Sequence, residues 1–133
     1  MMATRQQIRT KIKTIASLAG FTAGFDYAPS QLFDDELPAL SVYFTAGDSE
    51  YTFDHEAETT AQVIVEITLK EPGNLDGALD EKANAVQQLL RDNPFLDGLV
   101  GGMYRTNFNY DRDEESSVGT LQLTYTVNYT DED

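Results

Sequence analysis

Apolar side chains recur at helical spacing in two stretches of the chain. Ile8, Ile12 and Ile15 are separated by four and three residues, a spacing that places them on one face of a helix. We predict this helix over residues 4–19 and a second helix over residues 76–92. The apolar positions of the second helix are Leu79, Ala83, Val86, Leu89 and Leu90.

Alternating apolar and polar side chains predict the strands. The clearest case is residues 121–129, where Leu, Tyr and Val alternate with Gln, Thr and Asn. The same period predicts strands at residues 40–45, 61–71 and 103–110. We also predict a short strand around residues 25–27, in the long connection that follows the first helix.

Two polar, acidic segments interrupt these strands. Residues 46–60 contain few aliphatic side chains, so we predict a long hairpin excursion there. Connections of this length are usually functional or mobile. Residues 111–119 predict a charged turn in the last hairpin. Before that turn, the alternation places Tyr104 and Phe108 on one face of the strand and Arg105 on the other.

The order of the main elements is α-β-β-α-β-β. This order predicts a two-layer α+β sandwich, in which a mostly antiparallel sheet of four to five strands carries both helices on one face. The other face, rich in Thr, Gln and Asn, is expected to be wet or to meet a partner. A length of 133 residues fits one domain, which we place at residues 1–133.

Charge is distributed unevenly along the chain. The formal net charge is −14, yet Arg5, Arg9, Lys11 and Lys13 precede every acidic residue, since the first of these is Asp26. An acidic body repels nucleic acid phosphates, so we expect no direct nucleic-acid binding by the isolated subunit. A basic leading segment and an acidic remainder also suit a contact between copies of the chain.

The sequence predicts neither catalysis nor a bound cofactor. It lacks cysteine, and the phosphate-binding, dinucleotide-binding and nucleophile-elbow glycine motifs are missing. The single histidine, His55, lies in the acidic excursion. A calcium loop that starts at Asp111 would need Gly and Glu where Ser116 and Gln122 stand. We therefore predict no metal site, only weak Mg²⁺ or Ca²⁺ screening of the acidic clusters.

No apolar run reaches the length of a membrane-spanning helix, and no signal peptide is predicted at the amino terminus. We therefore expect no membrane partner. The alternative from another functional class is a small acidic metal-binding module.

Three stretches of the chain resemble the tail-terminator family of long-tailed phages, the lambda-like minor tail protein U family. The first is Phe33-Asp34, then residues 38–45 and Glu50-Tyr51. The second comprises the strand at residues 62–69, the helix at residues 77–92 and Asn93-Pro94-Phe95-Leu96. The third is Phe108-Asn109-Tyr110, an acidic turn and residues 123–129. Their order and spacing carry the resemblance.

The resemblance implies a structural virion protein, assembled in the host cytoplasm and located in the virion tail. It implies a hexameric ring on the head-proximal end of the tail tube that stops tube polymerisation and offers a surface to head-completion proteins. Its partners would be copies of itself, the tail-tube protein and a head-completion protein. The nearest alternative is another tail or neck subunit, such as a tail-tube or head-tail joining protein.

Contact residues between subunits are expected in three places: the basic stripe of the first helix, the excursion at residues 48–58 and the turn at residues 111–115. The candidates are Arg5, Arg9, Lys13, Asp48, Glu50, Asp54, Glu56, Asp111, Arg112, Asp113 and Glu114.

Overall fold

Two α-helices and five strands form most of the described part of the chain. A computed structural model describes residues 3–51, 56–113 and 115–132, with the side chain of residue 132 excluded. The helices are α1 (Arg5–Ala16) and α2 (Leu75–Arg91), and the strands are β1 (Ala23–Phe25), β2 (Ala39–Tyr51), β3 (Glu56–Lys70), β4 (Gly102–Asp113) and β5 (Val118–Glu132). The predicted element order is confirmed, with β1 as the short strand near its predicted place.

Each helix begins where a polar side chain satisfies a free backbone N–H. The Thr4 hydroxyl accepts a hydrogen bond from the N–H of Gln7 at 3.1 Å, and the Gln7 side chain accepts from the N–H of Thr4 at 2.9 Å. Asn74 accepts from the N–H of Gly77 in the same way at the start of α2. The predicted first helix is shorter than expected, because a 3-10 turn at Ser17–Ala19 follows α1.

The strands form one sheet in the order β1-β2-β3-β5-β4. The first pair, β1 with β2, is parallel, and every other neighbouring pair is antiparallel. Both helices pack on the same side of this sheet, which we call the helix face, and the opposite side is the helix-free face. The predicted α+β class is therefore confirmed.

A single hydrophobic core lies between the helices and the helix face. From α1 it takes Ile8, Ile12 and Ile15. The core is completed by Leu79, Ala83, Val86 and Leu90 of α2 and by strand residues that include Leu40, Val42, Val63, Val65, Ile67, Leu121, Leu123, Tyr125 and Val127. The periodic positions identified in the sequence therefore point into this core. No helix among the described residues has the length and apolar content needed to cross a membrane.

The excursion predicted at residues 46–60 is a hairpin, but most of it is strand, so the predicted strands at residues 40–45 and 61–71 are longer than expected at this end. The strands β2 and β3 stay paired as far as Tyr51 and Ala57. Cross-strand backbone pairing, which leaves no local apolar signature, holds this polar stretch extended. The predicted turn at residues 111–119 is also shorter than expected, because β4 continues to Asp113 and β5 begins at Val118.

A β-bulge reverses one predicted face assignment. Arg105 pairs with Tyr125 but Asn107 pairs with Thr124, so Thr106 is an extra residue in β4. The bulge changes the phase of the strand, and Arg105 consequently shares the helix face with Phe108. Tyr104, which was predicted beside Phe108, lies on the helix-free face.

Candidate assembly surfaces

Three strands extend past the main core and form an acidic end of the sheet. We call residues 46–51, 56–60 and 128–132 the acidic extension. Every residue from Thr45 to Tyr51 is exposed, and the register places Asp48, Glu50 and Glu58 together on the helix-free face. The extension thus collects charge on one surface.

Like charges oppose each other inside this extension. Glu50 of β2 lies directly opposite Glu58 of β3, and two carboxylates in this position repel each other across the strand pair. The Glu58 carboxylate accepts a hydrogen bond from the Thr130 hydroxyl at 3.0 Å. Cations or basic side chains brought to this surface would relieve the repulsion.

A hydrogen-bonded polar row occupies the middle of the helix-free face. One carboxylate oxygen of Glu66 accepts from the Tyr43 hydroxyl at 2.9 Å and from the Gln122 amide at 2.8 Å. Partial burial and the adjacent Glu66 charge raise the pKa of Tyr43 to about 12. The row fixes three side chains of neighbouring strands in one arrangement.

The expectation of a wet helix-free face needs correction near the centre of the sheet. Ser41, Ile64, Thr68 and Thr126 are buried although no helix covers them. Side chains on adjacent strands cover each other instead, as in the 3.0 Å contact between the hydroxyls of Thr68 and Thr120. Towards the acidic extension the face becomes exposed.

The basic stripe of α1 is partly engaged within the subunit. The Arg9 guanidinium donates to the backbone carbonyl of Asp26 at 2.7 Å. Lys13 packs along Gly24, whose added Cβ would lie 3.6 Å from the lysine chain. Arg5 is exposed and borders the groove beside the acidic extension, next to Tyr129. Of the three basic residues of α1 predicted to contact another subunit, Arg5 is the one that borders that groove.

The turn at the other end of β4 is anchored to α2. Arg112 donates two hydrogen bonds to the Asp76 carboxylate, at 2.7 and 3.0 Å, and its guanidinium carbon lies 4.6 Å from the centre of the Tyr110 ring. These hydrogen bonds hold the pKa of Asp76 below its usual value. Arg112 therefore fixes the turn to the helix, while Asp111 and Asp113 remain exposed.

The structure separates the two acidic segments predicted from the sequence. Asp113 is level with Val118 at the start of β5, whereas Tyr51 is level with Asp131 near its end. At about 3.3 Å per residue, the 13 residues between these two levels of β5 span roughly 40 Å. The subunit therefore carries exposed acidic side chains at both ends of its sheet.

Three residues singled out in the sequence, Asp54, His55 and Glu114, lie outside the described part of the chain. Within the described part, no group of three acidic or imidazole side chains is arranged to hold a metal ion. Glu56 begins β3 at the far end of the acidic extension. The candidates thus divide into an acidic end, a basic stripe and an anchored turn.

Comparison with known proteins identifies the family. A family model described as phage minor tail protein U matches residues 3–129. The chain belongs to this family. The matched segment includes both helices and nearly all of the sheet, so the resemblance that the three stretches suggested is confirmed for the fold as a whole.

Two curated relatives of this minor tail protein U family member are both named tail tube terminator protein. The tail tube terminator protein of Escherichia phage N15 is 30% identical over 108 residues, which cover 79% of this chain and 80% of the relative. The tail tube terminator protein of Escherichia phage lambda is 28% identical over 108 residues, covering 79% and 81%.

A solved structure has the same fold. A chain from the virion of a native gene transfer agent particle superimposes with a TM-score of 0.54, covering 96% of this family member and 95% of that chain. The sequence identity is 15%, so this match bears on the fold alone.

Two features of the surface were missed in the sequence. The Tyr43–Glu66–Gln122 row was not anticipated, although the polar positions of both strands signalled a polar face. The exposure of Arg105 on the helix face was missed because the bulge at Thr106 has no sequence signature of its own. Both depend on pairing between distant segments.

Proposed function

We propose that the chain is a tail terminator, a structural virion protein that caps the head-proximal end of the phage tail tube. It stops tube polymerisation and offers the surface on which the head is joined. The observation that carries this proposal is the family match over residues 3–129, together with two relatives named tail tube terminator proteins. The proposed role is structural, without catalysis, and its location is the virion tail after assembly in the host cytoplasm.

The working form in this proposal is a closed ring of identical copies, six in number as the resemblance implies. A ring requires two different patches on each subunit, which meet head to tail. The uneven charge supports such a contact, because the first 13 residues carry only basic charges and the acidic extension carries only acidic ones among its charged residues. The partners are then other copies, the tail-tube protein and a head-completion protein.

Assembly has to overcome repulsion between copies. Each copy has a formal net charge of −14, and self-repulsion opposes association in dilute buffer. Divalent cations that screen the Glu50–Glu58 region, or docking on a tube end, would favour the ring. No resident metal site is needed for this effect.

Electron microscopy of particles made without this protein tests the proposal. A terminator predicts tubes of uncontrolled, excessive length that are not joined to heads. A tail-tube role predicts that tubes are absent, and a head-tail joining role predicts tails of normal length beside separate heads. Either of the last two results would contradict the terminator function.

A further inference from the structure

Both edges of the sheet contain long stretches of strand paired on one side only. β4 is the last strand of the sheet, and its 12 residues pair with β5 alone. At the opposite edge, β1 covers β2 only from Ala39 to Ser41. From Thr45 to Tyr51, every residue of β2 is exposed, and β3 is the only strand paired with this stretch in the described part of the chain. Each edge presents a row of backbone groups that another strand can satisfy.

The strand directions make these two edges complementary. β2 runs opposite to β3, β3 opposite to β5, and β5 opposite to β4. β4 therefore runs opposite to β2 across the sheet. When a second copy is placed beside the first with the same face outward, β4 of one copy meets β2 of the next in antiparallel orientation. This contact joins two different edges, as a head-to-tail ring requires.

Acidic side chains lie along both edges. The exposed part of β2 carries Asp48 and Glu50 on the helix-free face. The β4 run carries Asp111 and Asp113, which are exposed on the same face, whereas Arg105 lies on the helix face. Pairing of the two edges brings these carboxylates together across the strand pair, where they repel each other. We therefore expect the contact between copies to need divalent cations that screen this charge.

Three exposed aromatic side chains lie on the same two edges. Tyr51 on β2 is 64% exposed, and Tyr104 and Phe108 on β4 are 54% and 53% exposed. Aromatic side chains are typical of the buried centre of protein interfaces. An edge-to-edge contact would bury these rings, since they stand on both faces of the strands that meet.

The bulges limit how far such pairing extends. Thr45 is an extra residue in β2 and Thr106 in β4, so each edge bends once. Uninterrupted runs remain at residues 46–51 and 107–113. Neither run contains a proline or a lysine, two residue types that commonly protect an edge strand from pairing.

We propose that β4 of one copy pairs antiparallel with the exposed part of β2 of the next copy, so that neighbouring subunits share one continuous sheet. This inference rests on the proposed function, because it specifies how the ring closes. The contact is formed by backbone hydrogen bonds over about six residues and is flanked by the exposed aromatic rings. Its occupant is a second copy of this chain.

Engineered cysteines test this pairing cleanly, because the chain contains no cysteine. One batch carries Ala46→Cys on β2, a second carries Asp113→Cys on β4, and a third carries Ala85→Cys on the exposed side of α2 as a matched control. Ala46 and Asp113 both lie on the helix-free face, and antiparallel pairing of residues 46–51 with residues 108–113 places them opposite each other. A short bis-maleimide cross-linker tolerates a small difference in register.

The cross-linker is added to each batch alone and to mixtures of two batches, with magnesium or tail tubes present. Light scattering measures the mass of the assemblies in parallel samples. The proposal predicts covalent dimers when the Ala46→Cys and Asp113→Cys batches are mixed, and none from either batch alone or with the control. Cross-linking of Asp113→Cys with itself would overturn it in favour of a two-fold β4–β4 contact.

Two further outcomes separate this inference from the proposed function. If rings form but no batch gives a cross-link, the proposed pairing of β4 with β2 is wrong, whereas the proposed ring is supported. Protein that stays monomeric both with magnesium and with tubes would overturn the pairing and the ring together.

Discussion

The carboxylate of Glu66 accepts a hydrogen bond from the Tyr43 hydroxyl, 2.9 Å away, across the β2–β3 pair. Burial and this negative neighbour raise the pKa of Tyr43 to about 12 in the folded chain, against 10.0 for an ordinary tyrosine. The unfolded chain therefore ionises this group first as pH rises. The stability linked to Tyr43 is complete below pH 10 and is lost as pH rises through 12.

We predict that the free energy of unfolding, measured in urea between pH 9 and pH 12, falls less in Tyr43→Phe than in the unchanged protein. Burial also raises the pKa of Tyr125 to about 12. The loss of stability that follows from Tyr125 at high pH is the same in both proteins. Tyr27→Phe removes an exposed tyrosine and serves as the control. Equal pH dependence of all three proteins would contradict the raised pKa of Tyr43.

A close approach of two strands makes Gly47 sensitive to substitution. A Cβ added at Gly47 would lie 2.9 Å from the Cβ of Ala61 and 3.2 Å from the carbonyl oxygen of Thr60. Neither neighbour is a flexible side chain, so the strands have to move apart. We predict that Gly47→Ala lowers the free energy of unfolding by about 1–3 kcal/mol, measured by urea denaturation.

The matched control for that prediction is Gly101→Ala. An added Cβ there has its nearest neighbour, the carbonyl oxygen of Asn128, at 3.6 Å, an ordinary contact distance. We expect a change within about 0.5 kcal/mol. If the two alanine variants were equally stable, the close packing of β2 on β3 at the bulge would be disproved.

Charge reversal at Arg5 should separate assembly from folding. Arg5 is exposed, whereas Arg9 donates to the Asp26 carbonyl and Lys13 packs on Gly24. Reversal of all three residues would also disturb the fold, so the single change Arg5→Glu is the sharper variant. We predict normal thermal unfolding and weakened ring formation by light scattering.

Arg91→Glu makes the same change of charge in the last turn of α2 and serves as its control. We expect this variant to assemble as well as the unchanged protein. If Arg5→Glu and Arg91→Glu assemble equally well, the basic stripe is not part of the interface and the ring closes through other contacts.

Divalent cations should promote assembly of the purified protein. Glu50 and Glu58 oppose each other in the acidic extension, and Mg²⁺ screens such pairs more strongly than Na⁺ at equal ionic strength. We predict a rise in mass by light scattering when Mg²⁺ replaces Na⁺, and a smaller response in Glu50→Gln. A mass that is unchanged by Mg²⁺ would contradict this role of the acidic extension.

The helices and the central strands were predictable because their signals are local. The spacing of Ile8, Ile12 and Ile15 marks the buried side of α1, and the capping pair Thr4 and Gln7 marks its start. The alternation along β5 likewise gave its helix face correctly. In each case, neighbouring residues in the sequence carry the whole pattern.

The acidic extension and the face of Arg105 were not predictable in the same way. Residues 46–51 are polar and exposed, and pairing with residues 57–62 of β3 holds them extended although they carry no apolar alternation. The bulges at Thr45 and Thr106 each shift the alternation by one residue, and their positions depend on the partner strand. The candidate surface that results, with acid at one end and Arg105 on a free edge, therefore required the sheet register.

Growth of tail tubes in the presence of the purified protein tests whether this chain terminates the tube. Tail-tube protein of the same phage is polymerised with increasing amounts of this chain, which carries a label at an introduced Ala85→Cys, and tube length and label position are read by electron microscopy. We predict that growth stops and that the label marks one end of each tube. Tubes that keep growing, or that carry label along their length, would contradict it.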